Sequence, residues 1–146
     1  MKVAKFMNTK VVTATPETLL PQVWDLISRK HIHCVPVIDF RKKLVGIVSK
    51  EDILAKLFPE VEDNQDRFDD SDEEIELKVE KLKKMTVEKI MNRRVFFTRG
   101  ESNIMRALSR MIVRNVRQLP VIDESEKVVG MISKNDIFKK LFKGKM

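Results

Sequence analysis

The chain is poor in the residues that form covalent or metal cross-links. One cysteine and two histidines occur among its 146 residues. A single cysteine rules out a disulfide within the chain. With His31 and His33 as the only histidines, no set of zinc ligands is complete. Cys34 stands at the start of an apolar run, where we expect a small packed residue and not a nucleophile.

Long apolar runs are also missing. No stretch approaches the roughly 18–20 residues of a membrane-spanning helix. Residues 1–6 lack the apolar segment and small-residue cleavage site of a secretory signal. We therefore expect a soluble, cytoplasmic protein. The apolar content of 42% suffices for one ordinary domain or for two small halves that share a core.

Acidic residues are scarce outside one segment. Residues 59–77 hold ten acidic side chains and one basic side chain, whereas the whole chain carries a net charge of +7. The rest of the chain is therefore strongly basic. Two interpretations stay open: the basic residues attract an anionic partner such as a nucleotide, nucleic acid or acidic lipid, or they only solvate helix faces.

What the chain does contain is an internal repeat. Residues 6–58 align with residues 90–142 at a constant offset of 84, with 18 identities in 53 positions. The most regular element is Gly-x-x-Ser-x-x-Asp, at 46–52 and again at 130–136. Such a repeat predicts two equivalent structural units. We divide the chain into repeat 1 (residues 1–58), a linker (residues 59–84) and repeat 2 (residues 85–146).

Each repeat is predicted to fold as strand, helix, strand, strand, helix. In repeat 1 we expect a strand at 10–13, a helix capped by Thr18, a hairpin of strands at 35–38 and 44–48, and a helix at 50–58. Repeat 2 has Ser102 at the matching cap position and Lys134 at the start of its last helix. Residues 73–84 of the linker show helical spacing and could dock on a partner subunit or only span a gap. The fold class is α/β (α+β).

Ser-x-x-Asp has two interpretations. In the first, Ser49 and Ser133 cap the following helices and Asp52 and Asp136 complete capping boxes. That leaves Gly46 unexplained, because a glycine inside a strand suggests that another group approaches the backbone closely. In the second interpretation, a helix start with a hydroxyl and a carboxylate binds the phosphate and ribose of a nucleotide.

Three sequence marks occur in the same order in both halves. They are Phe6-Met7-Asn8 and Ile90-Met91-Asn92, Pro-Val-Ile-Asp at 36–39 and 120–123, and the two Gly-x-x-Ser-x-x-Asp motifs. In these marks residues 3–58 and 86–142 resemble a tandem pair of CBS domains, the Bateman module. The resemblance implies two repeats packed through their sheets about a pseudo-two-fold axis, with two clefts between them.

The resemblance also implies adenosyl ligands in these clefts: AMP, ADP, ATP or S-adenosylmethionine. By similarity the aspartate of each motif would hold the ribose, and the serine would lie beside ribose and phosphate. The first cleft would use Thr9, Ile32, His33, Arg117, Gln118, Met131, Ser133 and Asp136. The second cleft would use Arg93, Val116, Arg117, His33, Cys34, Ile47, Ser49 and Asp52.

The two clefts are not expected to be equal. His33 and Arg117 hold equivalent positions, where the family often places phosphate-binding side chains. The first cleft has Thr9 and Lys10 where the second has Arg93 and Arg94, so the affinities should differ. Phe96 stands where repeat 1 has Val12. Three roles are open for its ring: it would fill the second cleft, stack on a base or pack in the core.

The functional hypothesis that follows is a regulatory module. We expect no enzymatic activity, since the chain has no nucleophile–base pair, metal cluster or Walker phosphate loop. The module would bind an adenosyl ligand, signal occupancy to a partner protein and assemble as a homodimer through its Leu- and Ile-rich helices. The alternatives are a structural dimerisation module with empty clefts and a nucleic-acid binder. Against the nucleic-acid binder, the sequence shows no recognisable recognition helix and no aromatic stacking platform.

Overall fold

The computed structural model describes residues 1–57 and 71–143. Repeat 1 contains helix α1 (Leu20–Lys30), strands β1 (Cys34–Ile38) and β2 (Leu44–Ser49), and helix α2 (Lys50–Leu54), which continues as a 3-10 turn (Ala55–Leu57). Strands β1 and β2 form an antiparallel hairpin. The acidic part of the linker at 59–70 lies outside the described residues.

Repeat 2 has the same order of elements, preceded by one short additional strand. Strand β3 (Thr98–Arg99) is followed by helix α4 (Ile104–Val113), strands β4 (Gln118–Ile122) and β5 (Val128–Ser133), and helix α5 (Lys134–Lys143). Strand β3 pairs parallel to β4, and β4 pairs antiparallel to β5. Both hairpins shift register at the same place, after Val37 and after Val121.

The first predicted strand of repeat 1 is wrong. Residues 10–13 do not pair with the sheet, and only Ala14 forms a parallel bridge, to Val37. This segment instead lines a cleft between the repeats with Lys10, Val11 and Val12. The apolar side chains of the two valines therefore face the cleft and do not indicate a strand.

Both predicted N-caps of the long helices are off by one residue. Leu19 is the N-cap of α1, and its N–H donates to Gln22 Oε1 at 3.0 Å, while Thr18 Oγ1 accepts from the Thr15 N–H. Asn103 is the N-cap of α4, where its side chain accepts from the Met105 N–H at 2.8 Å. The amide side chains of Gln22 and Asn103 therefore satisfy helix-end donors that we had assigned to hydroxyls.

The linker helix α3 spans Asp72–Lys83, one residue earlier than predicted at each end. Ser71 caps it by accepting from the Glu74 N–H at 3.2 Å. Leu82 packs against the core of repeat 1, whereas Ile75 and Val79 are exposed. Docking of this helix on a partner subunit stays a prediction.

The N-terminal segment of each repeat packs in the core of the other repeat. We call residues 1–8 and 85–92 the crossing segments. Val3 and Phe6 belong to the core around Ile104 and Met111 of repeat 2, while Val87 belongs to the core of repeat 1. The two crossings have matching hydrogen bonds, from the Val3 N–H to the Ser102 carbonyl at 2.9 Å and from the Val87 N–H to the Thr18 carbonyl at 2.8 Å.

The repeats are related by a pseudo-two-fold axis, as the resemblance implied. A position can touch its own copy only at such an axis. Arg117 contacts His33, Gln118 contacts Cys34, and Lys127 forms a bridge with Lys43, and each pair is separated by 84 residues. The axis therefore passes between the helix-to-strand turns at one end of the interface and between the hairpin turns at the other.

Candidate functional site

A cleft of about 420 Å³ lies between the two repeats. Its lining comes from the residues after the first crossing segment, from the turn between α1 and β1, and from the start of α5. This volume is in the range of small-molecule sites in proteins. Because both repeats contribute, a molecule bound there would contact both halves at once.

The cleft contains most of the residues expected in the first cleft. The predicted residues that line it are Ile32, His33, Arg117, Gln118, Met131, Ser133 and Asp136. Thr9 is exposed and lies outside the lining, since its neighbours Asn8 and Lys10 face the cleft instead. Cys34, which we had assigned to the second cleft alone, also lines this one because it lies at the axis.

Both Ser-x-x-Asp motifs form the capping boxes of the first interpretation. The Ser133 N–H donates to Asp136 Oδ2 at 2.9 Å, and the Asp136 N–H donates to Ser133 Oγ at 3.0 Å. In repeat 1 the matching distances are 2.8 Å and 3.2 Å. The box does not exclude a ligand role, since Ser133 and Asp136 also line the cleft and only one carboxylate oxygen is used by the box. Capping instead holds the carboxylate in a fixed orientation.

The glycines of the two motifs have a packing explanation. A Cβ added at Gly130 would lie 2.7 Å from Met7 Sδ, and one at Gly46 would lie 2.6 Å from Met91 Sδ. Both methionines belong to crossing segments. The group that approaches the backbone at these strands is therefore the chain itself.

The residue pairs at the axis combine a donor with an acceptor. Arg117 Nη1 lies 3.1 Å from His33 Nδ1, so the guanidinium donates and the ring nitrogen accepts. Gln118 Nε2 donates to Cys34 Sγ at 2.9 Å. Burial raises the pKa of the Cys34 thiol to about 11, against the smaller opposite effect of this hydrogen bond. A thiol with that pKa is neutral near pH 7, which agrees with a packed residue and not with a nucleophile.

Most residues expected in the second cleft contact other parts of the chain. Ile47 exchanges backbone hydrogen bonds with Asn92, and Arg93 Nη2 lies 3.6 Å from Glu88 Oε1. Val116 packs against the core of repeat 2. Phe96 packs there too, with the guanidinium of Arg114 over its ring at 4.7 Å, so the core interpretation describes it best. Ser49 and Asp52 form the capping box described above.

Sequence reasoning missed several residues of the first cleft. They are Asn8, Val11, Val12, His31, Pro36, Lys134 and Asn135. Lys134 could have been found, because it directly follows the motif serine. His31 has a left-handed backbone with φ of 52° as the C-cap of α1, and no signal in the sequence places it at a cleft.

A family model of the CBS domain matches residues 3–59 and 87–143. The chain belongs to the CBS domain family. Each match covers one of the two repeats, which confirms the predicted family and its tandem arrangement.

Curated relatives differ in how much of their length the chain covers. The uncharacterized protein MJ0188 of Methanocaldococcus jannaschii is 30% identical over 139 residues, which are 95% of this chain and 43% of that protein. A CBS domain-containing protein of Dictyostelium discoideum is 29% identical over 143 residues, or 97% of this chain and 91% of that protein. The chain thus spans less than half of the first relative.

Solved CBS pairs have the same fold. The CBS domain pair of protein MJ0100, in complex with 5′-methylthioadenosine and S-adenosylmethionine, has a TM-score of 0.74 at 24% identity and covers 100% of this chain and 98% of its own. CBSX2 in complex with AMP has a TM-score of 0.77 at 24% identity, with coverage of 99% and 98%. These likenesses confirm the predicted mixed α/β fold of two repeats.

Over residues 1–57 and 71–143, no helix is both long and apolar enough to span a bilayer. In the same ranges no group of three or more His, Cys, Asp or Glu side chains is arranged to hold a metal ion.

Proposed function

We propose that this CBS pair is a regulatory module that binds an adenosyl ligand, AMP, ADP, ATP or S-adenosylmethionine, in the cleft between its repeats. The observation that carries the proposal is that the cleft, of about 420 Å³, joins apolar side chains, a fixed carboxylate and basic side chains from both repeats. The two CBS pairs with bound AMP or S-adenosylmethionine support this ligand class.

The lining suits the parts of such a ligand. Val11, Val12 and Met131 offer an apolar surface for a base, and Asp136 offers a carboxylate oxygen to the ribose hydroxyls. Arg117 and His33 supply basic groups for a phosphate.

Signalling would follow from the position of the cleft. A ligand that touches both repeats binds most tightly at one relative placement of the two, and it can shift a conformational balance only through such a difference in affinity. The module would report occupancy to a partner protein in the cytoplasm and carry out no reaction itself.

We also propose that the module is a homodimer. Met105 and Ile112 on α4 and Phe138 and Phe142 on α5 are exposed, at fractions from 44% to 66%. Helices α4 and α5 are in contact with each other, so these side chains lie on neighbouring elements. Sedimentation equilibrium should give twice the mass of 17.1 kDa for the wild type and a monomer for Ile112→Lys. A monomeric wild type at micromolar concentration would reject the dimer.

Calorimetric titration tests the ligand proposal. Ligand-free protein is titrated with AMP, ADP, ATP and S-adenosylmethionine in turn, and at least one should bind with measurable heat. No heat and no rise in melting temperature with any of the four would reject the proposal and favour a structural module with empty clefts. Salt-dependent binding of DNA or RNA in place of these ligands would favour the nucleic-acid alternative.

Two matched variants test the assignment of the first cleft. Asp136→Asn keeps an oxygen for the capping box but removes the charged acceptor for the ribose. We expect it to weaken binding in this cleft by about 10- to 100-fold, because a hydrogen bond to a charged group contributes about 1.5–3 kcal/mol. Asp52→Asn changes the same position of repeat 1 and should leave this binding unchanged. Equal affinity for the wild type and Asp136→Asn would show that the aspartate holds no ribose.

A further inference from the structure

The first cleft is positively charged. Lys10, Arg117 and Lys134 are permanent cations in its lining, against a single carboxylate, that of Asp136. The Cys34 thiol does not offset this charge, since burial keeps it protonated at neutral pH. A cleft with low-dielectric walls concentrates the electrostatic field of this excess positive charge on a bound molecule.

These cations are available to a ligand. In the part of the chain that the structure describes, none of the three permanent cations forms an ion pair with a carboxylate. Arg117 is held by His33, a neutral acceptor, which orients its guanidinium without neutralising it. Around the second cleft, by contrast, Arg93 lies beside Glu88, and Lys50, the copy of Lys134, lies over the ring of Trp24 at 5.4 Å.

We propose that the first cleft selects adenine nucleotides by their negative charge, with ADP and ATP preferred over AMP, and AMP preferred over adenosine and S-adenosylmethionine. This inference rests on the proposed function, because it assumes that the cleft holds an adenosyl group. The physical reason is Coulombic: each phosphate adds attraction to the cations, whereas the sulfonium of S-adenosylmethionine is itself a cation that they repel.

Titration at two ionic strengths tests the selection. The full chain is titrated with ATP, ADP, AMP, adenosine and S-adenosylmethionine in magnesium-free buffer at 50 mM and at 300 mM NaCl. We expect affinity to rise with the number of phosphates and the preference for ATP to shrink at 300 mM, since salt screens the attraction. Adenosine should bind with the same weak affinity at both salt concentrations.

Variants of the lining test which charges act. Lys134→Gln and Lys10→Gln should each weaken ATP binding by about two- to five-fold, which corresponds to partly exposed ion pairs of up to about 1 kcal/mol. The matched control is Lys139→Gln, the same change on an exposed position of α5 outside the cleft. The control should bind ATP as tightly as the wild type does. The two lining variants should bind adenosine with unchanged affinity.

The outcomes separate the inference from the proposed function. S-adenosylmethionine or adenosine binding as tightly as ATP would overturn charge selection while an adenosyl site remains. ATP binding that is unaffected by both lysine variants would also overturn it. If none of the five ligands binds, the proposed function fails, and the inference fails with it.

Discussion

Gly46 and Gly130 are positions where a single methyl group should matter. An added Cβ would lie 2.6 Å from Met91 Sδ at Gly46, and the Asn92 carbonyl oxygen is only 3.3 Å away on the same side. The methionine can move but the backbone oxygen cannot, so Gly46→Ala should lower the free energy of unfolding by about 1–3 kcal/mol. Urea denaturation followed by circular dichroism measures the loss.

Two further variants make this prediction specific. At Gly100 an added Cβ would meet only Ala4, whose Cβ lies 3.3 Å away, so Gly100→Ala should change stability by less than about 1 kcal/mol. Met91→Ala removes the side chain that the added Cβ would meet. It should therefore lower the free energy of unfolding less in the Gly46→Ala background than in the wild type. Full stability of Gly46→Ala would contradict the packing explanation.

Single residues were predictable where their chemistry is local. The spacing of Ser133 and Asp136 was enough to predict a capping box, because all its atoms lie within one turn of helix. His31 was missed because the cleft that it lines forms only after the two repeats have packed together. The spacing of residues within one repeat does not show which of them will lie at a cleft between the two repeats.

Among the elements, those with their own apolar periodicity were predicted best. The apolar residues of α1 and of both hairpins lie in the cores as expected, and α5 begins at Lys134 as predicted. The strand at 10–13 failed because a short apolar run can line a cleft as well as a sheet. Its pairing depends on distant backbone groups, which the local sequence does not specify.

The crossing segments are the elements that sequence reasoning did not anticipate. Val3 is fully buried among side chains of repeat 2, although it belongs to repeat 1 in the chain. Val3→Ala should therefore lower the free energy of unfolding by about 2 kcal/mol through lost burial and the cavity left behind. Val113→Ala, at a valine that is 73% exposed, is the matched control and should change stability by less than about 0.5 kcal/mol.

At the scale of the whole molecule, the same variant tests whether the repeats unfold together. Trp24 is the only tryptophan and packs against the core of repeat 1, so its fluorescence reports on that half. Because each core contains the crossing segment of the other repeat, we expect the two repeats to unfold in one cooperative transition. The Trp24 midpoint of Val3→Ala should fall together with the midpoint from circular dichroism. A Trp24 transition that stays at the wild-type midpoint would show that the halves unfold independently.

The overall symmetry could be read from the sequence, since a constant offset of 84 predicts two equivalent units. The exchange of crossing segments could not be read in the same way. An alignment of the repeats is equally good whether residues 1–8 pack on their own repeat or on the other one. Only the buried positions of Val3 and Val87 distinguish these two arrangements.

The contacts at the axis make the two repeats non-interchangeable. A chain made of two copies of repeat 2 would set Arg117 against a second arginine, with two positive charges, only donors and no acceptor. Two copies of repeat 1 would set histidine against histidine and cysteine against cysteine. The observed chain instead places arginine against histidine and glutamine against cysteine, one donor and one acceptor in each pair. At the Arg117 position the two repeats therefore have to differ for the contact to form, and a change of His33 to a residue without an acceptor would leave the guanidinium without this partner.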